Sequence, residues 1–175
     1  MVLQAGSVGH SRPAPIPADA RYVVASTLAL SVSVRQMKLN AAYLMKNGKT
    51  QSEIDELLKG SDGLVDGGIT ISVLSADKNT EYVRLDMFDD IPHYHYFSNW
   101  HDDEAYTNYT IALDTAAVAD PIDWAVQTLR VRAKEMVTRA GGEAAAAEVD
   151  WDVIPGAVDK LAQLVAERRA RVPVS

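Results

Sequence analysis

The stretch YVRLDMFDDIPHYHYF, residues 82–97, alternates with period two on both sides of a bend. Val83, Leu85 and Met87 alternate with Arg84, Asp86 and Phe88. Asp89-Asp90-Ile91-Pro92 reads as the bend, and a further strand runs from His93 to Ser98. Working outward, Ile69, Ile71 and Val73 alternate with Thr70 and Ser72, and the polar turn Ala76–Thr80 joins them to the Val83 strand as a hairpin. Thr107 to Leu113 supplies a fourth strand. These segments predict a four-stranded antiparallel meander over about residues 69–113.

The flanks read as helical. Asp120-Pro121-Ile122-Asp123 is a helix start, with an N-cap acid, proline in the first turn and a second acid beside it. Ile122, Val126, Leu129, Ala133, Met136 and Ala140 then share one face, so a helix is expected over 121–140, and another over 153–169. Upstream, Thr50-x-x-Glu53 is a capping box that opens a short helix at Gln51. Residues 19–47 fit two periods. Leu28, Leu30, Val32 and Val34 alternate as in a strand, while Val24, Leu28, Val32 and Leu39 also share a helical face. The helical composition after Arg35 favours a helix ending near Lys46. The proline-rich residues 1–18 read as a flexible or extended arm. The expected fold is α+β: an arm over 1–18, then one domain over 19–175 with helices in 19–59, sheet in 69–113, and helices at 121–140 and 153–169.

Composition removes several function classes. At 175 residues, with 47% apolar and 23% charged residues, the chain suits a globular domain and not a disordered one. Zero cysteines exclude disulfides, thiolate metal sites and a cysteine nucleophile. The net charge of −7 sits in the middle third, where Lys78 and Arg84 face ten acids between residues 69 and 120. Such a zone repels phosphate backbones, so nucleic acid is not an expected partner. The apolar run Tyr22–Val34 is too short and too polar to span a bilayer, and no secretory leader is legible, so the expected location is cytoplasmic. The stretch AAYLMKNGKTQSEIDELLKG has the look of the first two helices of a helix-turn-helix, but a glycine-rich acidic loop follows where a recognition helix is needed.

Chemistry concentrates in the β region. Three of the four histidines, His93, His95 and His101, and eight of the twelve aromatics lie between Tyr82 and Tyr109. On a strand, His93 and His95 project to one face and Tyr94 and Tyr96 to the other. A His-x-His strand can give two imidazoles to one metal ion. His101, Asp102 or Glu104 could complete a set suited to Fe(II), Mn(II) or Zn(II). The same pair can instead be structural, held by the nearby acids Asp86, Asp89 and Asp90. The fuller cupin pattern is missing: Glu104 comes nine residues after His95 and no histidine follows His101. A third reading is a small-ligand pocket lined by Tyr94, Tyr96, Phe97 and Trp100. No Gly-x-Ser-x-Gly elbow, P-loop or dinucleotide fingerprint is present, so no catalytic residue is assigned.

The segments LDMFD (85–89), PHYHY (92–96) and DPIDW (120–124), with the helix ending at Ala140-Gly141, resemble a family of small bacterial domains of unknown function. The resemblance covers about residues 69–142. It implies a hairpin running into the Pro-His-Tyr-His-Tyr strand and then a long helix, together with bacterial origin. It implies no activity and carries no functional residue. The leading functional expectation is a small acidic binding or assembly module, self-associating or serving as an accessory subunit. The motivations are the arm, which could wrap a neighbour, and the loop tryptophans Trp100 and Trp151. The alternatives are the His-x-His metal protein or metal-dependent enzyme, and the aromatic pocket.

Overall fold

Seven strands form one antiparallel sheet in the order β1-β7-β6-β5-β4-β3-β2 in a computed structural model that describes residues 6–10, 12–46 and 49–170. The strands are β1 (Ser7–Gly9), β2 (Arg21–Ala25), β3 (Leu28–Leu39), β4 (Leu64–Ser75), β5 (Glu81–Phe88), β6 (His93–Ser98) and β7 (Thr107–Ala112). Two short helices, α1 (Ala41–Lys46) and α2 (Gln51–Leu58), interrupt the β3–β4 hairpin. Three more follow the sheet: α3 (Pro121–Arg139), α4 (Glu143–Glu148) and α5 (Ile154–Arg169).

The expected four-stranded meander is therefore corrected to seven strands. Its four strands are present as β4 to β7, but β2 and β3 occupy much of the 19–47 stretch, whose composition after Arg35 favours a helix. The reason is cross-strand pairing. β3 matches β4 over twelve residues, from Leu28 opposite Ser75 to Leu39 opposite Leu64, and this long-range ladder overrides the helical propensity of residues 35–39. Only residues 41–46 of that stretch coil into a helix. β1 is three residues long and pairs at the far edge with β7.

Each face of the sheet has a different cover. Leu28, Leu30 and Val32 of β3, Ile69, Ile71 and Val73 of β4, and Val83, Leu85 and Met87 of β5 form one apolar surface. Onto it pack Leu129, Met136 and Val137 of α3 and Val158, Leu161 and Val165 of α5. The opposite face is polar yet buried: Ser31, Ser33, Thr70 and Ser72 are each 1% exposed, Arg84 4% and Asp86 5%. The arm lies across this face. The Ala14 carbonyl accepts from Arg84 Nη2 at 3.0 Å and from Arg35 Nη2 at 3.3 Å. Arg12 pairs with Asp103 and stacks over Tyr106, while Asp19 pairs with Arg168 on α5, so both ends of the crossing are tied down.

α3 starts as its sequence directs. The Asp120 carboxylate accepts from the backbone N–H groups of Ile122 and Asp123 at 3.0 and 3.1 Å, and from Arg169 Nη1 at 2.9 Å. Burial pushes this carboxyl up, but the Asp123 amide, the Arg169 guanidinium and the Ile122 amide outweigh it and hold it below its ordinary value. A depressed folded pKa stabilises the native state above the unfolded value and loses that contribution as pH falls through the folded one. Asp120→Ala should cost about 1 kcal/mol at neutral pH. The difference from wild type should stay constant above about pH 5 and close below about pH 4. Urea unfolding at a series of pH values measures it, and a pH-independent difference would show that the carboxylate charge plays no part.

Candidate metal centre

The bend at Asp89-Asp90 sets the register of β5 against β6, with Asp86 opposite His93 and Arg84 opposite His95. Pleating then sends Asp86, His93 and His95 to the same side, the polar face beneath the arm. The two imidazoles stand edge to face with centroids 4.9 Å apart. His93 Nε2 lies 3.7 Å and His95 Nε2 3.3 Å from Asp86 Oδ2. One donor atom from each of the three residues lies within 4.8 Å of the others. Metal bonds of about 2.1 Å at tetrahedral angles put donors about 3.4 Å apart, so these separations suit a single ion.

The outer contacts decide which atoms face that point. His93 Nδ1 lies 2.7 Å from the Ile91 carbonyl, which can only accept, so Nδ1 carries the proton and Nε2 the lone pair. His95 Nδ1 lies 2.8 Å from Asn108 Oδ1 and 2.9 Å from Thr110 Oγ1. The Thr110 hydroxyl donates to Asn108 Oδ1, so both oxygens are free to accept from His95 Nδ1–H. Thr70 Oγ1 donates to Asp86 Oδ1 at 2.5 Å, which leaves Oδ2 for the centre. Three acceptors thus converge: two imidazole Nε2 atoms and one carboxylate oxygen. Such an arrangement needs a cation or a shared proton between them. Outer-sphere bonds of this kind are what orient metal ligands and fix their tautomers.

Protonation states agree with that role. Burial, followed by the neighbouring His95, lowers the His93 pKa against the pull of Asp86, so His93 is neutral at pH 7. Burial pushes Asp86 up, but the hydrogen bond from His95 and the positive charges that His93 and His95 carry once protonated, together with the Thr70 hydroxyl, outweigh it, so the carboxyl sits below its usual range. Metal ligands must be in these forms, imidazole neutral and carboxylate ionised.

The other sequence candidates lie elsewhere. His101, Asp102 and Glu104 are in the exposed 99–105 loop, where the Asp102 carboxylate accepts from the amides of Glu104 and Ala105. The metal-competent cluster among the described residues contains none of them; Asp86 takes the third place. The four aromatic candidates do not meet in one pocket. Tyr94 packs on Trp124, and Arg139 stacks over Tyr96, both on the helix-covered face. Phe97 is on the opposite face, stacked with His95. Trp100 abuts Tyr82 and donates its indole N–H to the Glu81 carbonyl at 3.1 Å.

The family described as a domain of unknown function, DUF7700, matches residues 22–165. The chain belongs to this family. No curated protein and no solved structure matches it. The DUF7700 match contains Asp86, His93, His95 and their outer partners Thr70, Asn108 and Thr110, and it extends beyond the 69–142 stretch that carried the resemblance.

Thr70→Val keeps the shape of the side chain and removes the only hydroxyl bound to Asp86 Oδ1 among the described residues. The buried carboxylate then loses a charged hydrogen bond, and stability should fall by about 1.5–3 kcal/mol in urea unfolding. A loss below about 0.5 kcal/mol would show that Oδ1 has another partner.

Proposed function

We propose that this DUF7700 chain is a metal-binding protein that holds one divalent transition metal through Asp86 Oδ2, His93 Nε2 and His95 Nε2. The observation that carries the reading is the pair of outer acceptors, the Ile91 carbonyl and the Asn108 amide oxygen, which turn both Nε2 lone pairs toward one carboxylate oxygen. Two imidazoles and one carboxylate suit Fe(II), Mn(II) or Zn(II), and leave coordination positions open for water or a bound molecule.

The assembly-module reading has less to support it. The arm folds onto its own sheet, and both tryptophans are half-buried with their indoles engaged, Trp100 on the Glu81 carbonyl and Trp151 on that of Ala146. Each of these features already has a partner inside the chain.

Protein purified without chelator should carry close to one equivalent of iron, manganese or zinc by elemental analysis, or rebind it after stripping. Asp86→Ala and His95→Ala should each weaken binding by more than the 10–100-fold that loss of an outer partner costs, at unchanged far-ultraviolet circular dichroism. His101→Ala should leave affinity unaltered. Occupancy below about a tenth of an equivalent, with no rebinding, would defeat the reading.

A further inference from the structure

The cavity that holds the three donors also holds a guanidinium with no acid to match it. Its volume is about 400 Å³, and Arg35, Arg84, Asp86, His93, His95 and Phe97 are among the residues that line it. Arg84 is matched: its Nε and Nη2 fork onto the two oxygens of Glu81 at 2.8 and 2.6 Å. Arg35 makes no ion pair among the described residues. Its Nη2 donates to the arm carbonyls of Pro15 at 2.9 Å and Ala14 at 3.3 Å, and its Nε is buried with no acceptor. Burial and the charge of Arg84 lower its pKa against the pull of Asp86 and Glu81, but a guanidinium remains protonated in a protein. Glu81 is engaged by Arg84 and Asp86 by the proposed metal, so the half-buried Arg35 guanidinium has no acid of its own among the described residues and is open to an incoming anion.

The register leaves room for it. Arg35 on β3 faces Gly68 on β4, which faces Phe88 on β5. That row therefore has no side chain at its centre. A Cβ at Gly68 would lie 2.5 Å from the Met87 carbonyl oxygen, so backbone packing keeps the position bare. The neighbouring row runs Ser33, Thr70, Asp86, His93. Two strand spacings, about 10 Å, separate the strands of Arg35 and Asp86, and the arginine side chain spans part of that gap. The cavity volume of about 400 Å³ has room for a molecule a few atoms long.

We propose that the cavity binds a small organic acid, one carboxylate of which pairs with Arg35 while its other end gives an oxygen donor to the metal at Asp86, His93 and His95. This rests on the metal reading above. The acid fills open coordination positions and neutralises the unmatched guanidinium in one step, and a carboxylate fits the fork of an arginine better than any other common anion except phosphate.

Cobalt(II) reports both halves of the proposal, because its visible absorption changes with coordination. The full chain is loaded with Co(II) and titrated with oxalate, malonate and succinate, with succinamide as the uncharged control. At least one acid should give a saturable spectral change and succinamide none. Arg35→Gln should weaken that acid at least about tenfold with Co(II) affinity unchanged, and Arg35→Lys, which keeps charge but not the fork, should fall between. Co(II) binding with no response to any acid, or an equal response to succinamide or in Arg35→Gln, overturns the inference and leaves the metal reading intact. No Co(II) binding overturns both. Should Arg35→Gln fail to fold, Arg35→Lys carries the test: a weaker acid affinity supports the proposal and an unchanged one overturns it.

Discussion

A charged and hydrogen-bonding surface buried beneath a strip of extended chain is the constraint that organises this molecule. Sheets in α+β folds commonly leave one face to water. Here that face carries Thr70, Arg84, Asp86 and His93, all buried, so each polar group must find a partner within the protein. The partners are local and ordered by the pleat. Thr70 serves Asp86, Glu81 serves Arg84, the arm carbonyls serve both arginines, and Asn108 and Thr110 serve His95. What this network leaves over is informative: two imidazole lone pairs, one carboxylate oxygen and one guanidinium Nε.

The helices act on the site from behind. α3 and α5 bury the Leu, Ile and Val rows of β3, β4 and β5, which fixes the strand register. Since side chains alternate strictly, that register also fixes which residues emerge beneath the arm; a slip of one residue would exchange the histidines for tyrosines. The apolar core thus positions the candidate centre without touching it. The small hairpin of α1 and α2 has its own core, Leu39, Leu44, Ile54 and Leu58, with Ile91 packed against it. Ile91 is also the residue whose carbonyl sets the His93 tautomer, so this second core bears on the orientation of one imidazole.

Much of this was legible in the residues. The meander strands, the α2 capping box, the Asp120 start of α3 and the shared side of His93 and His95 all followed from period and cap signals. β2 and β3 did not, because alternating leucine, valine and serine fits either period and only the distant β4 decides between them. The third donor was half visible. Asp86 is one of three nearby acids, with Asp89 and Asp90, that the sequence offers as structural partners of the histidines and not as ligands; a two-residue turn at Asp89-Asp90 puts it opposite His93. The loop acids Asp102 and Glu104 are nearer to His95 along the chain than the pairing makes them in space. Arg35 gave no signal: its place at the cavity depends on a β3–β4 ladder that local sequence does not encode.

The arm connects these observations. Prolines lack an N–H, so a proline-rich strip crossing a sheet brings carbonyl acceptors and few donors. A face with two arginines needs acceptors, and the Ala14 and Pro15 carbonyls supply them without adding negative charge. An acidic strip would have neutralised Arg35 outright; a neutral one holds the guanidinium in place and leaves its charge uncancelled. Pro13, Ala14 and Pro17 also form the wall of the cavity opposite the sheet, so the segment that buries the polar face is the one that shapes the space beside the three donors. Covering the face and leaving a charge unspent are two results of one choice of residues.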